Sequence, residues 1–219
     1  MTGKTTKEPK ATDEHSPSRS LESLASLPSM PANQGGFIPL HGGYENLLAY
    51  PKALVVYDAT LYFCDRFINK RSRTYDQRVQ AARSGKQNIL EGSKASGTSK
   101  ETEIKLTGVA RASQKELLED YRDFMRNHRI EEWAPDHPYA QRLCDLVRIP
   151  GANYGAFKKG IEHPDAAVSV NVIVGLVKVT HYLLNRLLPR LERDFIQQGG
   201  LRERMTRARL DYRARQHAP

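Results

Sequence analysis

Asp58 and Asp65 stand seven residues apart along one apolar segment, a spacing that evokes a carboxylate pair for metal binding or acid–base work. No Glu-x-x-His follows on any predicted helix, so the ligand set of a four-helix di-metal centre is missing. The two carboxylates are expected instead to pair with arginines of the neighbouring helix. His181 falls in the middle of an apolar stripe with no acid near it in sequence, which reads as a hydrogen-bonded core histidine. Gly3-Lys4-Thr5 has the last residues of a P-loop without the glycine-bearing loop or the strand before it. Cys64 and Cys144 lack any CxxC or Cys/His ligand spacing and read as buried thiols of a reducing cytoplasm. Glu91, beside Gly92, reads as a structural residue at a helix end. No catalytic residue, metal ligand or cofactor site is therefore assigned, and a nuclease or nucleotide-processing enzyme is the weakest reading.

Basic residues form the stronger pattern. Arg66, Lys70, Arg71, Arg73, Arg78, Arg83, Lys86 and Lys94 face only Asp76 and Glu91 over residues 66–94. The first four line the corner between two helices. Arg83, Lys86 and Lys94 fall within one helical sector of about 80°, a geometry that can follow a phosphate backbone. Lys86 projects beside the apolar face, either snorkelling along packed surface or lining a central opening in an oligomer. Arg202, Arg204, Arg207, Arg209 and Arg213 crowd a short C-terminal helix, and the planar guanidinium suits phosphate bidentately. Phosphate contacts are accordingly expected from Arg78, Arg83, Lys94, Arg202, Arg204, Arg207, Arg209 and Arg213. No RRM signature, zinc finger or helix-turn-helix is visible, so such contacts would be mostly to the backbone and weakly selective for sequence.

These side chains need helices to hold them. Residues 1–34 are rich in Ser, Thr, Pro and Lys without periodicity and read as a disordered tail. Paired glycines at 35–36 and 42–43 bracket Phe37-Ile38-Pro39-Leu40, a candidate strap. A first helix is expected over about 50–69, with Leu54, Tyr57, Leu61, Cys64 and Ile68 on its core face. Val56, Phe63 and Phe67 make a second apolar stripe on that helix, which one core does not need; the N-terminal strap, an added C-terminal helix or another subunit must cover it, and it is assigned to contact between subunits. A second helix spans about 75–93, burying Tyr75, Val79, Ala82 and Ile89. Ser99 should cap a third helix that runs to Asn127, with Glu101 and Glu103 in its first turn. Ile104, Val109, Ala110, Leu117, Tyr121 and Phe124 approximate the buried side of that helix, and Gly108 should admit a close neighbour. The pattern weakens over 130–164, where a short helix at 139–147 is the one element placed in an insert that also holds Trp133. Val170, Val174, Val177, His181, Leu184 and Leu188 define a fourth helix, kinked or ended by Pro189. Gly199-Gly200 releases the terminal helix, on which Leu201, Met205, Ala208 and Tyr212 make one narrow stripe, and weak docking is expected through Leu201, Met205 and Tyr212. The expected organisation is a tail at 1–34, a helical bundle at 35–198 and an arginine-rich helical suffix at 199–219.

Composition agrees with a binding protein. Mean hydropathy is -0.62 and the net charge is +9. The excess charge lies in residues 36–130 and in the last twenty-one residues, while the other segments are balanced. Two basic zones favour a polyanionic partner, because neutralising phosphates releases counterions. No uninterrupted apolar run reaches the roughly 18 residues of a membrane span, and the first twenty residues have no apolar core of a signal peptide, so a cytoplasmic protein without a membrane partner is expected.

The run Asn88-Ile89-Leu90-Glu91-Gly92, the polar link through Ser99-Lys100-Glu101, and Ala110-Arg111-Ala112-Ser113 followed by Glu116-Leu117 resemble a known family. It comprises the four-helix-bundle proteins encoded within intervening sequences of bacterial 23S ribosomal RNA genes, and the accessory protein of diversity-generating retroelements belongs to the same superfamily. The similarity covers residues 47–127 and 166–188. Gly85-Lys86 stands where many relatives carry Ile-Pro, as in the subgroup with a C-terminal suffix helix. The resemblance implies an all-α, antiparallel up-down four-helix bundle that assembles as a homo-oligomer, a pentamer in relatives. It further implies a non-catalytic accessory role, binding RNA or DNA and a partner enzyme such as a reverse transcriptase. A protein-only adaptor, whose arginine-rich helix holds an acidic partner protein, is the alternative.

Overall fold

The computed structural model describes Gly43 and residues 47–216. The expected tail and the Phe37–Leu40 strap lie outside the described residues. Every described residue belongs to one compact unit. Its elements are α1 (Ala49–Phe67), α2 (Arg73–Ala95), α3 (Lys100–Asn127), α4 (Pro138–Arg148), α5 (Tyr154–Ile161), α6 (Ala166–Gln198) and α7 (Leu201–Gln216), with no strand among the described residues. The β-branched run at 168–179 is helical, as its length and spacing predict.

Local sequence explains the boundaries. From α2 to α6 each helix begins on a side chain that accepts a hydrogen bond from a free first-turn N–H. Ser72 serves Tyr75, Ser99 serves Thr102, His137 serves Tyr139, Asn153 serves Gly155 and Asp165 serves Ala167. Glu101 and Glu103 lie in the first turn of α3, where the helix dipole favours them. Helix α6 does not stop at Pro189 but passes through it. Pro189 and Asn185 are both exposed, so the carbonyl that loses its intrahelical donor can turn to water. The helix ends ten residues later at Gly199, whose φ of 70° needs a residue without Cβ.

The long helices pack in a closed series, α1 on α2, α2 on α3, α3 on α6 and α6 on α1, while α4 lies on α6 and α5 on both α6 and α1. The start of α2 meets the end of α1 where the Tyr75 hydroxyl donates to Asp65 at 2.9 Å. Arg78 in turn reaches Asp120 near the end of α3. At the centre, Phe63 meets Tyr121 and Phe124 edge-on, with ring centroids 5.4 and 5.0 Å away. The Tyr121 hydroxyl donates to Thr60 Oγ1 at 3.0 Å, which satisfies two polar groups in an apolar layer.

The two stripes of α1 are ranked differently from the sequence reading, although Cys64 of the expected core face is fully buried as expected. Val56 and Phe63 are fully buried inside the protomer and Phe67 stacks against Phe63, so this stripe is the core and not a free subunit contact. Leu54 is exposed, while Tyr57, Leu61 and Ile68 are half-buried. For Phe63 the reason lies in α3, whose Tyr121 and Phe124 rings meet it edge-on. Helix α5, absent from the sequence reading, takes another side of α1, with the Tyr62 hydroxyl 3.5 Å from the Glu162 carbonyl. On α3, Ala110, Leu117, Tyr121 and Phe124 are buried as expected, but Val109 is exposed. Gly108 has open space before it and makes no close approach; Gly92 does, since a Cβ there would sit 3.3 Å from Leu106 Cβ.

On α6, Val170, Val174, Val177, Leu184 and Leu188 are buried as predicted. By length and composition, the apolar stretch of the helix beginning at Ala166 would also allow a membrane crossing; 56% of it is buried within this domain, as in a core helix.

Candidate nucleic-acid interface

The family-like runs of α2 and α3 are packing residues in part. Ile89 and Gly92 on α2 and Ala110, Ser113 and Leu117 on α3 are buried, whereas Glu91, Arg111, Ala112 and Glu116 are exposed. The Ser84 and Ser113 hydroxyls lie 2.9 Å apart, and Asn88 Nδ2 donates to the Ser84 carbonyl and hydroxyl at 2.8 and 3.1 Å. Small and hydrogen-bonding residues thus bring two backbones together. Glu91 is exposed and accepts from Gln87 Nε2 at 3.1 Å, so it braces its own helix and does not hold the loop.

The basic residues separate into three groups. Arg78 is buried at 3% exposure and donates to the Asp120 carbonyl at 2.7 Å, with its guanidinium over the Tyr121 and Phe124 rings. It is removed from the expected phosphate-binding set, because its charge serves the α2–α3 interior. Arg66, Lys70, Arg71 and Arg73 are exposed at one pole, where Lys70 pairs with Asp65 at 3.0 Å. Hydrogen bonds from Lys70 and Tyr75 hold the Asp65 carboxyl below the usual carboxylate range.

Lys94 and α7 occupy the other pole. Arg204 Nη2 reaches the Gly97 carbonyl at 3.5 Å, which brings the base of α7 to the α2–α3 link. The 23 residues of α2 separate the two poles by roughly 33 Å. Arg83 is exposed partway along and, like Lys94, makes no ion pair among the described residues. Lys86 stands over the Tyr57 ring at 4.1 Å, the snorkelling arrangement, with its stem along packed surface. Burial raises the carboxyl of Asp58, and the Lys86 charge opposes that rise. The expected pairing of Asp58 and Asp65 with arginines is thus replaced by lysine neighbours.

Helix α7 carries Arg202, Arg204, Arg207, Arg209, Arg213 and Arg215 against Glu203 and Asp211, and buries no residue. None of these arginines makes an ion pair among the described residues. Most of the stripe expected to dock does not: Leu201 is half-buried, but Met205 and Tyr212 are 41% and 63% exposed. Glu203 is the one acid engaged, accepting from the Gly200 N–H at 2.9 Å where it locks the joint.

His181 is half-buried, and its Nδ1 has no hydrogen-bond partner among the described residues. Desolvation lowers its pKa, the nearby Lys115 and Arg111 charges add to that, and a hydrogen bond to the Arg111 backbone opposes it. Burial pushes the Cys64 thiol up to about 12, making it inert, whereas Cys144 is exposed and departs from the buried-thiol expectation. Among the described residues, no three His, Cys, Asp or Glu side chains gather at metal-binding spacing. The sequence reading missed the pinned Trp133 loop of the insert; the lone tryptophan beside prolines was its only signal. Compared with family models, curated proteins and solved structures, the chain matches none.

Proposed function

We propose that this chain is a non-catalytic accessory protein that binds the backbone of RNA or DNA through α7 and the adjoining end of α2. The observation that carries the reading is α7: sixteen residues with six arginines, no ion pair among the described residues and no buried side chain. A single helix of this length gains little stability from its own hydrogen bonds in water. Phosphates would neutralise its like charges and supply the missing partner. Arg202, Arg204, Arg207, Arg209 and Arg213 with Lys94 form the contact set, and Arg83 extends it along α2.

The closed series of α1, α2, α3 and α6 is best read as an antiparallel up-down four-helix bundle with α4 and α5 inserted, of the 23S intervening-sequence type. On that reading the protein is bacterial, acts as a homo-oligomer, and assists a nucleic-acid enzyme such as a reverse transcriptase. An oligomer would use exposed Leu48 and Leu54, which replace the buried Val56 and Phe63 as candidate contact residues. The second reading, an adaptor for an acidic protein, is favoured by exposed Met205, Leu210 and Tyr212 on α7. Direct titration with mixed-sequence RNA and DNA, single-stranded and duplex, separates the two. Binding that weakens steeply with salt supports the first; a partner retained after nuclease treatment, with no binding to either polymer, supports the second.

A further inference from the structure

The insert between α3 and α6 is built, not loose. Asn171 on α6 is buried; its Oδ1 accepts from the Trp133 N–H at 2.8 Å, and its Nδ2 donates to the Glu131 carbonyl at 3.0 Å. The Trp133 ring is stacked on His137 at 4.8 Å and 6°, and Tyr139 tilts against both. On α4, Leu143 seats directly on Gly175, where a Cβ would lie 2.3 Å from its Cδ2. These contacts fix a recess of about 430 Å³ between α4, α5 and α6, within the size range of small-molecule sites.

Its chemistry is asymmetric. The floor is apolar, with Leu143, Phe157 and Val172 buried. Arg142 and Lys159 are its exposed cations, His163 also lines it, and among the described residues no acid does. Of the acids elsewhere on the insert, Glu132 is engaged with Arg122 and Lys178, Asp145 with Arg148, and Glu162 with Lys158 and the Tyr154 hydroxyl, while Glu131 and Asp136 are exposed and do not line the recess. Arg142 and Lys159 make no ion pair among the described residues. A preformed apolar cavity with two uncompensated cations complements a molecule that is apolar at one end and anionic at the other.

We infer that the α4–α5–α6 recess binds a small amphipathic anion. Its apolar body rests on Leu143, Phe157 and Val172, and its phosphate or carboxylate head is held by Arg142 and Lys159. The site is independent of α7 and of nucleic-acid binding.

Trp133 is the only tryptophan and lines the recess, so its emission reports occupancy locally. The full-length protein is titrated with octyl phosphate, 1-octanol and inorganic phosphate. Octyl phosphate should give a saturable change in Trp133 emission, with the other two requiring at least about tenfold higher concentration. The double variant Arg142→Ala/Lys159→Ala should weaken octyl phosphate by about tenfold or more and leave the octanol response unchanged. Ala156→Phe, at an exposed lining position, should block the alkyl group while the circular dichroism spectrum stays that of the parent. An equal response to octanol and octyl phosphate, undiminished binding in the double variant, or no emission change with any of the three overturns the inference.

Discussion

The guanidinium of Arg78 reaches across from α2 to donate to the backbone carbonyl of Asp120 on α3, at 2.7 Å and almost fully shielded from water. A basic residue that looks like part of a phosphate-binding face is thereby an internal strut. Arg78→Ala should lower the unfolding free energy by about 2–4 kcal/mol, because a charge-assisted bond and a packed side chain are lost together. Nucleic-acid affinity at fixed salt should not change while the protein remains folded. Urea denaturation and a binding titration on the same variant check both halves.

Gln114 is fully buried, neither polar atom of its amide has a partner among the described residues, and it occupies the space that a Cβ on Gly85 would need, 2.2 Å from its Nε2. Gly85→Ala alone should destabilise by about 1–3 kcal/mol through overpacking. Gln114→Ala should relieve part of that cost, so the double-mutant cycle in chemical denaturation should show non-additivity of about 1 kcal/mol or more. Strict additivity would show that the two positions do not share one space.

His181 sets a pH dependence whose sign follows from its lowered pKa. The folded state resists protonation, so below the ordinary value of 6.5 the unfolded chain binds more protons. Stability contributed by neutral His181 is present above that value and is lost as pH falls from it toward the lower folded pKa. The urea midpoint of the parent should drop between pH 7.5 and 5 by more than that of His181→Gln. Equal drops would remove the histidine from the account.

Asn171 satisfies two backbone groups of the 131–133 segment with one amide. Asn171→Ala should leave both without that partner, cost about 1–3 kcal/mol, and shift Trp133 emission to the red as its loop opens to water. The emission maximum and the urea curve can be read from the same titration. An unshifted maximum would mean that the stack on His137 holds the ring by itself.

Much of this fold is legible in the sequence, and the failures have physical causes. Ser99, the glycine break at 97 and the spacing of Val170, Val174, Val177 and Leu184 act locally, so cap and period place α3 and α6 without knowledge of neighbours. The two stripes of α1 could not be ranked this way, because the choice depends on where Tyr121 and Phe124 arrive from α3. Helix α5 has only eight residues, two of them glycine, and its Phe157 and Ile161 make sense only against α6. For the basic face, residue type marks charge but not depth: Arg78 and Arg83 differ by five positions, yet one lies inside and the other outside. The Trp133 recess needs Asn171, 38 residues away, and no local pattern announces that pairing.

A helix that grips phosphates must release counterions, so the salt dependence of binding to a mixed-sequence duplex reads the role of α7 without intermediaries. The parent protein should lose roughly a thousandfold in affinity between 50 and 200 mM salt if about six phosphates are engaged. Replacing Arg202, Arg207, Arg209 and Arg213 by Gln should reduce the log–log slope by about three to four, with an unchanged denaturation midpoint, since none of these side chains is buried. A slope near zero for the parent, or the same slope for the variant, would contradict the account.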